Sequence, residues 1–178
     1  MPAGETHFRL ATSADAECLS ALATQVFFET YATSGIRTAL AREAQAQFGF
    51  PAVLRRLNEP PIRTVLAERA GHLVAFAEVA IGASHALVEH SPAAEVTRLY
   101  VQSPFLRQGL GRQLLQQSEA LASSAGISTL WLTAWVGNER ALAFYASQGY
   151  EPLGSTEYAF EGAVFENRLF AKKLQRET

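Results

Sequence analysis

The segment from Thr97 to Arg112, TRLYVQSPFLRQGLGR, constrains the fold more than any other part of the chain. Its apolar run LYV is typical of a strand, and leucines recur at helical spacing after a short loop that ends in Gly109 and Gly111. A strand, a glycine loop and a helix N-terminus in this order form an anion site, because the first amides of a helix have no partner inside it. The glycines let the backbone approach an oxygen-rich ligand closely. The segment therefore predicts a phosphate or pyrophosphate site flanked by Arg107 and Arg112.

Two common nucleotide-binding loops are excluded by residue type. A dinucleotide fingerprint G-x-G-x-x-G needs a third glycine where Leu114 stands. A nucleoside-triphosphate loop needs a lysine after its last glycine, and the only lysines are Lys172 and Lys173. Magnesium ligands are scarce, because Asp15 is the only aspartate. Taken alone, the loop is also compatible with a plain turn between a strand and a helix.

A second strand-to-helix segment follows, with LWLTAW before VGNERALAFYASQGY. Asn138 stands where a helix N-cap is expected, and Ala141 and Tyr145 follow on the same helical face. Gly149 is placed to end that helix. Tyr145 therefore lies two turns inside a helix, in line with a polar capping residue. This position suits a core side chain as well as a catalytic one.

Together these two segments resemble the GNAT superfamily of N-acetyltransferases. That family carries a Gln/Arg-x-x-Gly-x-Gly/Ala loop between a central strand and a helix, and later an Asn-x-x-Ala-x-x-Phe/Tyr-Tyr helix. Here the motifs read LRQGLG and NERALAFY. Leu106 replaces the Gln or Arg of the family pattern, and Arg107 takes the neighbouring position. The backbone cradle, which supplies most of the anion binding, is unaffected by this departure.

The chain is also similar over most of its length to the bacterial polyamine (spermidine/spermine) N-acetyltransferases. The similarity is strongest over residues 95–150 and includes VFFETYA and ENRLFAKKL elsewhere. A related polyamine enzyme would have a second glutamate where Thr97 stands. The narrower resemblance implies a polyamine-like acceptor, for which Glu157, Glu161 and Glu166 could supply carboxylates.

The resemblance implies acetyl-coenzyme A as co-substrate. No metal is expected, because the histidines and the single aspartate lack metal-ligand spacing. The cofactor's pyrophosphate is expected on the glycine loop, and its arm is expected to pair with main-chain groups of the central strand. Asn138 is expected to bind the arm, to cap the helix, or to do both. The implied cofactor-binding residues are Leu99, Tyr100, Val101, Arg107, Gln108, Gly109, Leu110, Gly111, Arg112, Asn138 and Tyr145.

The chemistry of acetyl transfer to an amine sets the catalytic candidates. The acceptor attacks as the free base, although an alkylamine with a pKa near ~10.4 is mostly protonated at neutral pH. The leaving thiol has a pKa of roughly 8.5, so a phenol beside the sulfur could protonate it, and Tyr145 is the candidate acid. A backbone amide near Tyr100 or Val101 is the candidate oxyanion donor. Glu95 and Glu29 are candidates for the base or for amine binding, although a solvated surface carboxylate is the simpler interpretation of either.

Composition excludes several other classes of protein. A net charge of −2 gives no reason to expect nucleic acid as a partner. No apolar run reaches the roughly 18 residues of a membrane span, and the N-terminus lacks a secretion-signal pattern, so a cytoplasmic location is expected. None of the four histidines shows metal-ligand spacing. Cys18, the only cysteine, can form no internal disulfide and is predicted to be buried in an apolar helix.

Hydrophobic periodicity predicts an α/β (α+β) fold in one domain over residues 1–178. We expect a mixed, mostly antiparallel central sheet with helices on both faces, as the family resemblance also implies. The predicted helices are 12–31, 36–48, 51–57, 112–125 and 139–148. The predicted strands are 7–11, 64–68, 73–81, 95–101, 129–135, 155–160 and 165–174, with hairpin turns at Ala70-Gly71 and around Gly162.

Three functions remain open at this point. The first is acetylation of a small, polyamine-like amine, and the second is acetylation of a protein N-terminus or lysine. The third is a non-catalytic module that binds acyl-coenzyme A. Members of the family often dimerise, so a homodimer is compatible with the resemblance, although no exposed apolar stripe demands one.

Overall fold

A computed structural model describes residues 5–88, 92–160 and 163–175. The predicted turn at Gly162 and the carboxylate of Glu161 lie outside these residues. The strands are β1 Thr6–Leu10, β2 Ile62–Arg69, β3 His72–Ile81, β4 Ala93–Val101, β5 Thr129–Trp135, β6 Glu151–Phe160 and β7 Ala163–Lys173. The helices are α1 Ala16–Tyr31, α2 Thr38–Phe48, α3 Phe50–Leu57, α4 Leu110–Ser124 and α5 Glu139–Ser147, with short 3-10 turns at Ser13–Asp15 and Ser103–Phe105.

The seven strands form one sheet in the order β1-β2-β3-β4-β5-β7-β6. The pairs β1–β2, β5–β7 and β6–β7 are antiparallel, whereas β4 and β5 run parallel. A two-residue turn at Ala70 and Gly71 joins β2 to β3, and both residues have positive φ, of 48° and 77°. Such turns favour glycine and match the twist of a hairpin. The predicted mixed, mostly antiparallel fold is therefore confirmed.

Element boundaries differ from the prediction mainly at β6, which begins at Glu151 rather than Ser155. Pro152 and Gly154 argue against a strand, and the register with β7 shifts between them. The strand is tolerated because β6 is at the edge of the sheet, where proline and a register shift disturb pairing on one side only. Likewise α4 begins at Leu110 rather than Arg112, so Gly111 lies in the first helical turn.

The contact pattern divides the chain into two compact units, each described separately below. The first contains residues 5–78 and 98–117, and the second contains residues 79–88, 92–97, 118–160 and 163–175.

The first unit packs helices on both faces of its strands. Leu110 and Leu114 of α4 belong to a core cluster with Val65, Val74 and the partly buried Leu99. On the opposite face, Phe48 of α2 contacts Tyr100, with ring centroids 5.9 Å apart and the ring planes tilted by 58°. Because neighbouring residues of a strand point to opposite faces, Leu99 and Tyr100 mark the two sides.

The second unit has its own core around Trp131, whose indole Nε1 donates to the Ala83 carbonyl at 3.0 Å. Val88, Ala93, Leu169 and Ala171 complete this buried cluster. The β5–β7 register places Trp131 opposite Ala171, so antiparallel pairing brings these apolar side chains together.

Cys18 is exposed, so the prediction that it is buried was wrong. The buried stripe of α1 includes Leu19, Leu22 and Val26, and Cys18 falls beside that stripe. None of the helices in the described part of the chain is long and apolar enough to cross a membrane.

Candidate active site

The predicted anion loop lies in the first unit, between the end of β4 and the start of α4. Arg107 has a φ of +60° and Gly109 a φ of +81°, so two residues of the loop are left-handed. Left-handed residues in such turns leave backbone N–H groups in a concave arrangement that binds anions. The first amides of α4, from Leu110 onward, add further donors to this arrangement.

Gly109 is required by its backbone conformation rather than by crowding. A Cβ at Gly109 would meet only Gln113 Nε2, at an ordinary contact distance of 3.8 Å. The space above the loop is therefore open, as a ligand that approaches the backbone would need. Arg107, Gln108 and Arg112 are exposed, and Gly111 is half-buried.

Side chains from outside the motif hold this loop. Arg69 of β2 donates through Nη1 to Gln108 Oε1, and Gln108 Nε2 donates to the Pro104 carbonyl at 3.1 Å. Arg69 also donates through Nε to Thr6 Oγ1 at 2.9 Å and lies over the Phe105 ring at 5.7 Å. The sequence motif did not indicate Arg69, because Arg69 precedes Gln108 by 39 positions.

Glu29 lies on an exposed face of α1 and is tied to the turn that follows β4. Its carboxylate accepts from Ser103 Oγ at 2.5 Å and from Gln25 Nε2 at 3.0 Å. Gln25 in turn accepts from Gln102 Nε2 at 2.8 Å. Glu29 therefore links α1 to the residues that precede the loop.

A buried ionic cluster in the first unit was missed by sequence reasoning. The carboxylate of Glu78, only 5% exposed, accepts from Arg56 Nε at 3.0 Å and from Arg98 Nη1. Gln47 accepts from both arginines, and Arg98 stacks over Phe48. Burial lowers the pKa of Arg56, and the like charge of Arg98 lowers it further. The glutamate inside the apolar run LVAFAEVAI was the available signal, because a buried carboxylate needs cationic partners.

In the second unit, Asn138 caps α5 as predicted. Its Oδ1 accepts from the Ala141 N–H at 3.2 Å. Gly137 precedes it, and a Cβ there would lie 2.3 Å from the Trp135 indole. Only glycine therefore fits beside Trp135 in the turn that precedes α5.

Tyr145 is half-buried on α5, with its ring beside three other aromatic rings. The centroid distances are 5.3 Å to Phe144, 6.1 Å to Phe170 and 6.3 Å to Tyr150. The helix ends at the predicted Gly149, whose φ is +83°. The Tyr150 N–H then donates to the Tyr145 carbonyl at 3.2 Å, which closes the helix as a Schellman motif does.

Tyr150 anchors the end of α5 through a second ionic cluster that the sequence did not indicate. Its hydroxyl donates to Glu119 Oε1 at 3.1 Å, and Lys172 Nζ donates to the same oxygen at 2.9 Å. Burial, followed by the Glu119 charge, raises the pKa of Tyr150 far above its ordinary value. Tyr150 therefore stays protonated and serves as a structural donor.

The remaining predicted carboxylates lie in the second unit as well. Glu95 is half-buried in β4, opposite Trp131 in the parallel β4–β5 register. Glu157 and Glu166 face each other across β6 and β7. They line a cavity of about 330 Å³ with Ser155, Thr156 and Val164. Ser155 Oγ donates to Glu166 at 2.6 Å.

A second cavity, of about 270 Å³, lies in the first unit at the α1–α2 connection. One cationic side chain, that of Arg37, and no carboxylate lines this cavity. The lining residues are Tyr31, Thr33, Ser34, Gly35, Ile36, Arg37 and Leu40.

The predicted site residues thus divide between the units. The first brings Glu29 and β4 residues 99–101 into the same compact body as the loop at 106–112, and the second holds Glu95, Asn138 and Tyr145. Among the residues that the structure describes, no three His, Cys, Asp or Glu side chains are grouped so that they could hold a metal ion.

Comparison with known proteins gives a family match over most of the chain. The model of the acetyltransferase (GNAT) family matches residues 25–150, which include both predicted motifs. An IAA acetyltransferase of Azospirillum brasilense is 35% identical over 102 residues, 57% of this chain and 62% of that protein. An uncharacterised N-acetyltransferase of Lactobacillus delbrueckii subsp. lactis is 42% identical over 55 residues, 31% of this chain. The chain thus spans 62% and 32% of the lengths of these two relatives.

Solved structures show the same fold at low sequence identity. The PaiA N-acetyltransferase of Thermoplasma acidophilum, solved in complex with coenzyme A, has a TM-score of 0.75 and 21% identity. The match covers 95% of this chain and 99% of that one. A ribosomal-protein-alanine N-acetyltransferase of Brucella melitensis has a TM-score of 0.69 and 24% identity, over 94% of this chain and 99% of that one.

Proposed function

The chain belongs to the acetyltransferase (GNAT) family, and we propose that it transfers the acetyl group of acetyl-coenzyme A to a primary amine of a small acceptor. The observation that carries the proposal is the loop before α4, where Arg107 and Gly109 are left-handed and the space above Gly109 is open. A backbone of this kind suits a pyrophosphate. The PaiA structure, which has the same fold, contains coenzyme A.

Residues of the first unit would hold the co-substrate. The amides of Arg107, Gln108, Gly109 and the first turn of α4 would bind its pyrophosphate, with Arg107 and Arg112 adding positive charge. Main-chain groups of Leu99 to Val101 would pair with its arm, as an added strand pairs with a sheet edge. The thioester of acetyl-coenzyme A supplies the activated acetyl group.

Tyr145 is proposed as the general acid. Its Oη would donate a proton to the sulfur as the C–S bond breaks, because the sulfur leaves more readily as a thiol than as a thiolate. The Schellman closure at Tyr150 and the aromatic rings around Tyr145 favour a fixed ring position. Asn138 would contact the co-substrate arm through its amide nitrogen, since its Oδ1 is engaged in the helix cap.

The acceptor must lose a proton before its nitrogen can attack. Glu95 is proposed to accept that proton or to bind the ammonium form. Glu29 is the alternative, although its carboxylate already accepts two hydrogen bonds from Gln25 and Ser103.

A polyamine-like acceptor is the narrower proposal, supported by the pair Glu157 and Glu166. Like charges placed directly opposite each other on paired strands are unfavourable. Arg168 lies 3.9 Å from Glu166 and balances part of this charge, so a bound ammonium group would relieve the repulsion that remains. The adjacent cavity of about 330 Å³ offers room for an alkylammonium group.

A screen of amines with acetyl-coenzyme A, followed by release of free thiol, tests this function. The panel would contain spermidine, monoamines, amino acids and a peptide with an N-terminal alanine. Spermidine-like acceptors should react fastest. Reaction of the peptide alone would instead support a protein acetyltransferase, the function that the Brucella melitensis protein's name describes.

Calorimetric titration with coenzyme A, ATP and NAD provides the complementary test. Coenzyme A should bind, and ATP and NAD should not. Binding of coenzyme A without turnover of any amine would indicate a non-catalytic module, whereas absence of coenzyme A binding would contradict the proposal.

A further inference from the structure

We propose that Arg69 is a positioning residue for the coenzyme A loop, which it holds in its left-handed form through Gln108. The proposal rests on the proposed function, because it concerns how well the loop binds acetyl-coenzyme A. Arg69 lies outside both sequence motifs, at the end of β2.

The starting observation is the backbone of Arg107. Its φ of +60° is disfavoured for any residue with a Cβ, so neighbouring contacts must maintain it. In the described part of the chain, the Arg107 side chain makes no hydrogen bond or ion pair of its own. The contacts that determine this conformation must therefore come from the residues on either side.

Gln108 supplies those contacts with both ends of its side chain. Its Nε2 donates back to the Pro104 carbonyl at 3.1 Å, which closes the segment from 104 to 108 into a turn. Its Oε1 accepts from Arg69 Nη1. Arg107 lies within this closed turn, so the turn cannot open without breaking one of the two bonds.

Arg69 is itself fixed on the sheet. Thr6 is directly opposite it in the β1–β2 register and accepts from its Nε at 2.9 Å. The guanidinium also lies over the Phe105 ring, 5.7 Å from the centroid. Arg69 therefore contacts the loop before and after Arg107, and joins it to a rigid strand.

Within the described residues, no carboxylate forms an ion pair with Arg69. Its charge therefore favours an anion on the loop as well, and this attraction must be separated from positioning. Lysine at this position would keep the charge but lose the planar fork that bonds Thr6 and Gln108 together. Under the positioning role, Arg69→Lys should bind acetyl-coenzyme A about as poorly as Arg69→Gln.

The test is steady-state kinetics on the full chain. Arg69→Gln should raise the KM for acetyl-coenzyme A about tenfold, the cost of losing a charge-assisted hydrogen bond, and leave kcat within about twofold. Arg63→Gln is the matched control, because Arg63 is exposed on the same strand and, among the described residues, donates only to the local carbonyls of Pro60 and Ile62. The control should behave as wild type.

Arg107→Gly supplies the decisive comparison, because glycine adopts positive φ without strain. In that background, Arg69→Gln should raise the KM only about twofold. An equal rise in both backgrounds, or rescue by Arg69→Lys, would show that Arg69 acts by charge or general stability and would overturn the proposal.

If Arg69→Gln does not fold, Gln108→Ala provides a second test, because it removes the hydrogen bonds of Gln108 with Arg69 and with the Pro104 carbonyl. It should raise the KM for acetyl-coenzyme A similarly, and less so in the Arg107→Gly background. Wild-type chain that binds no coenzyme A in calorimetry would instead refute the proposed function. Normal binding with no effect of Arg69→Gln would refute the positioning role alone.

Discussion

The loop that precedes α4 and the helix α5 carry the two predicted motifs, yet they are stabilised in different ways. The loop is exposed, contains a left-handed arginine and is held by hydrogen bonds near the surface. Helix α5 begins at a side-chain cap and ends at a glycine, and the buried Tyr150 follows it. A backbone that binds a ligand must leave its amides exposed, so its conformation depends on side chains brought from elsewhere. A helix that presents a side chain can satisfy its own backbone.

The largest expected effect separates two tyrosines whose rings lie 6.3 Å apart. Tyr145→Phe removes the proposed proton donor and should lower kcat about 100-fold. Tyr150→Phe, the matched loss of one hydroxyl, should leave kcat within about twofold. Thiol release with a reactive amine measures both. Wild-type turnover in Tyr145→Phe would eliminate the acid role.

The next effect tests the loop with two glycines at opposite ends of α4. Gly109 and Gly126 have φ values of +81° and +79°, and neither is crowded. Alanine at either should therefore cost a similar strain, about 1 kcal/mol. Only Gly109→Ala should weaken coenzyme A binding, about tenfold by calorimetry. Equal affinities of the two variants would mean that the loop is not the pyrophosphate site.

The third effect concerns the stability of the α5 region and its dependence on pH. Tyr150→Phe loses a hydrogen bond to a carboxylate and should lower the free energy of unfolding by about 2 kcal/mol at neutral pH. Because burial raises the folded-state pKa of Tyr150 above 10.0, its ordinary value, its contribution is complete below pH 10 and falls as the pH rises further. Urea unfolding should therefore show a constant advantage of the wild type over Tyr150→Phe up to about pH 10 and a falling advantage from pH 10 to 12. A constant difference across that interval would contradict this assignment.

The smallest effect separates the two roles of Asn138. Asn138→Ala should lower the free energy of unfolding by about 1 kcal/mol, the usual value of an N-cap, and raise the KM for acetyl-coenzyme A about threefold. Asn138→Asp keeps an acceptor for the Ala141 N–H but has no amide donor. Asn138→Asp should restore the free energy of unfolding and leave the KM for acetyl-coenzyme A raised. If aspartate restores both the free energy of unfolding and the KM, Asn138 acts only as a cap.

Much of the fold follows from local sequence signals. Strand β5 matches its predicted bounds, and α5 differs by one residue at its end. The capping asparagine, the left-handed Gly149 and the Ala70-Gly71 turn act within a few residues of their own position. Edge strand β6 was harder to delimit, because tertiary context overrides the low strand propensity of Pro152 and Gly154.

The charged clusters could not be predicted, because their members are distant in sequence. Glu78 is 22 positions from Arg56 and 20 positions from Arg98 in the sequence. Tyr150 is 31 positions from Glu119. Apolar periodicity indicates which face of a strand is buried, but it does not say which charged residue will be opposite another.

The sequence by itself determined the order of helices and strands, the glycine loop before α4 and the capped helix that carries Tyr145. Each of these depends on backbone conformation and on neighbours within about one helical turn. Only the tertiary structure decided that Arg69 would contact the loop at Phe105 and Gln108, and that Tyr150 would pair with Glu119 beside Lys172. These contacts depend on strand register and helix packing, which are set by the folded chain as a whole.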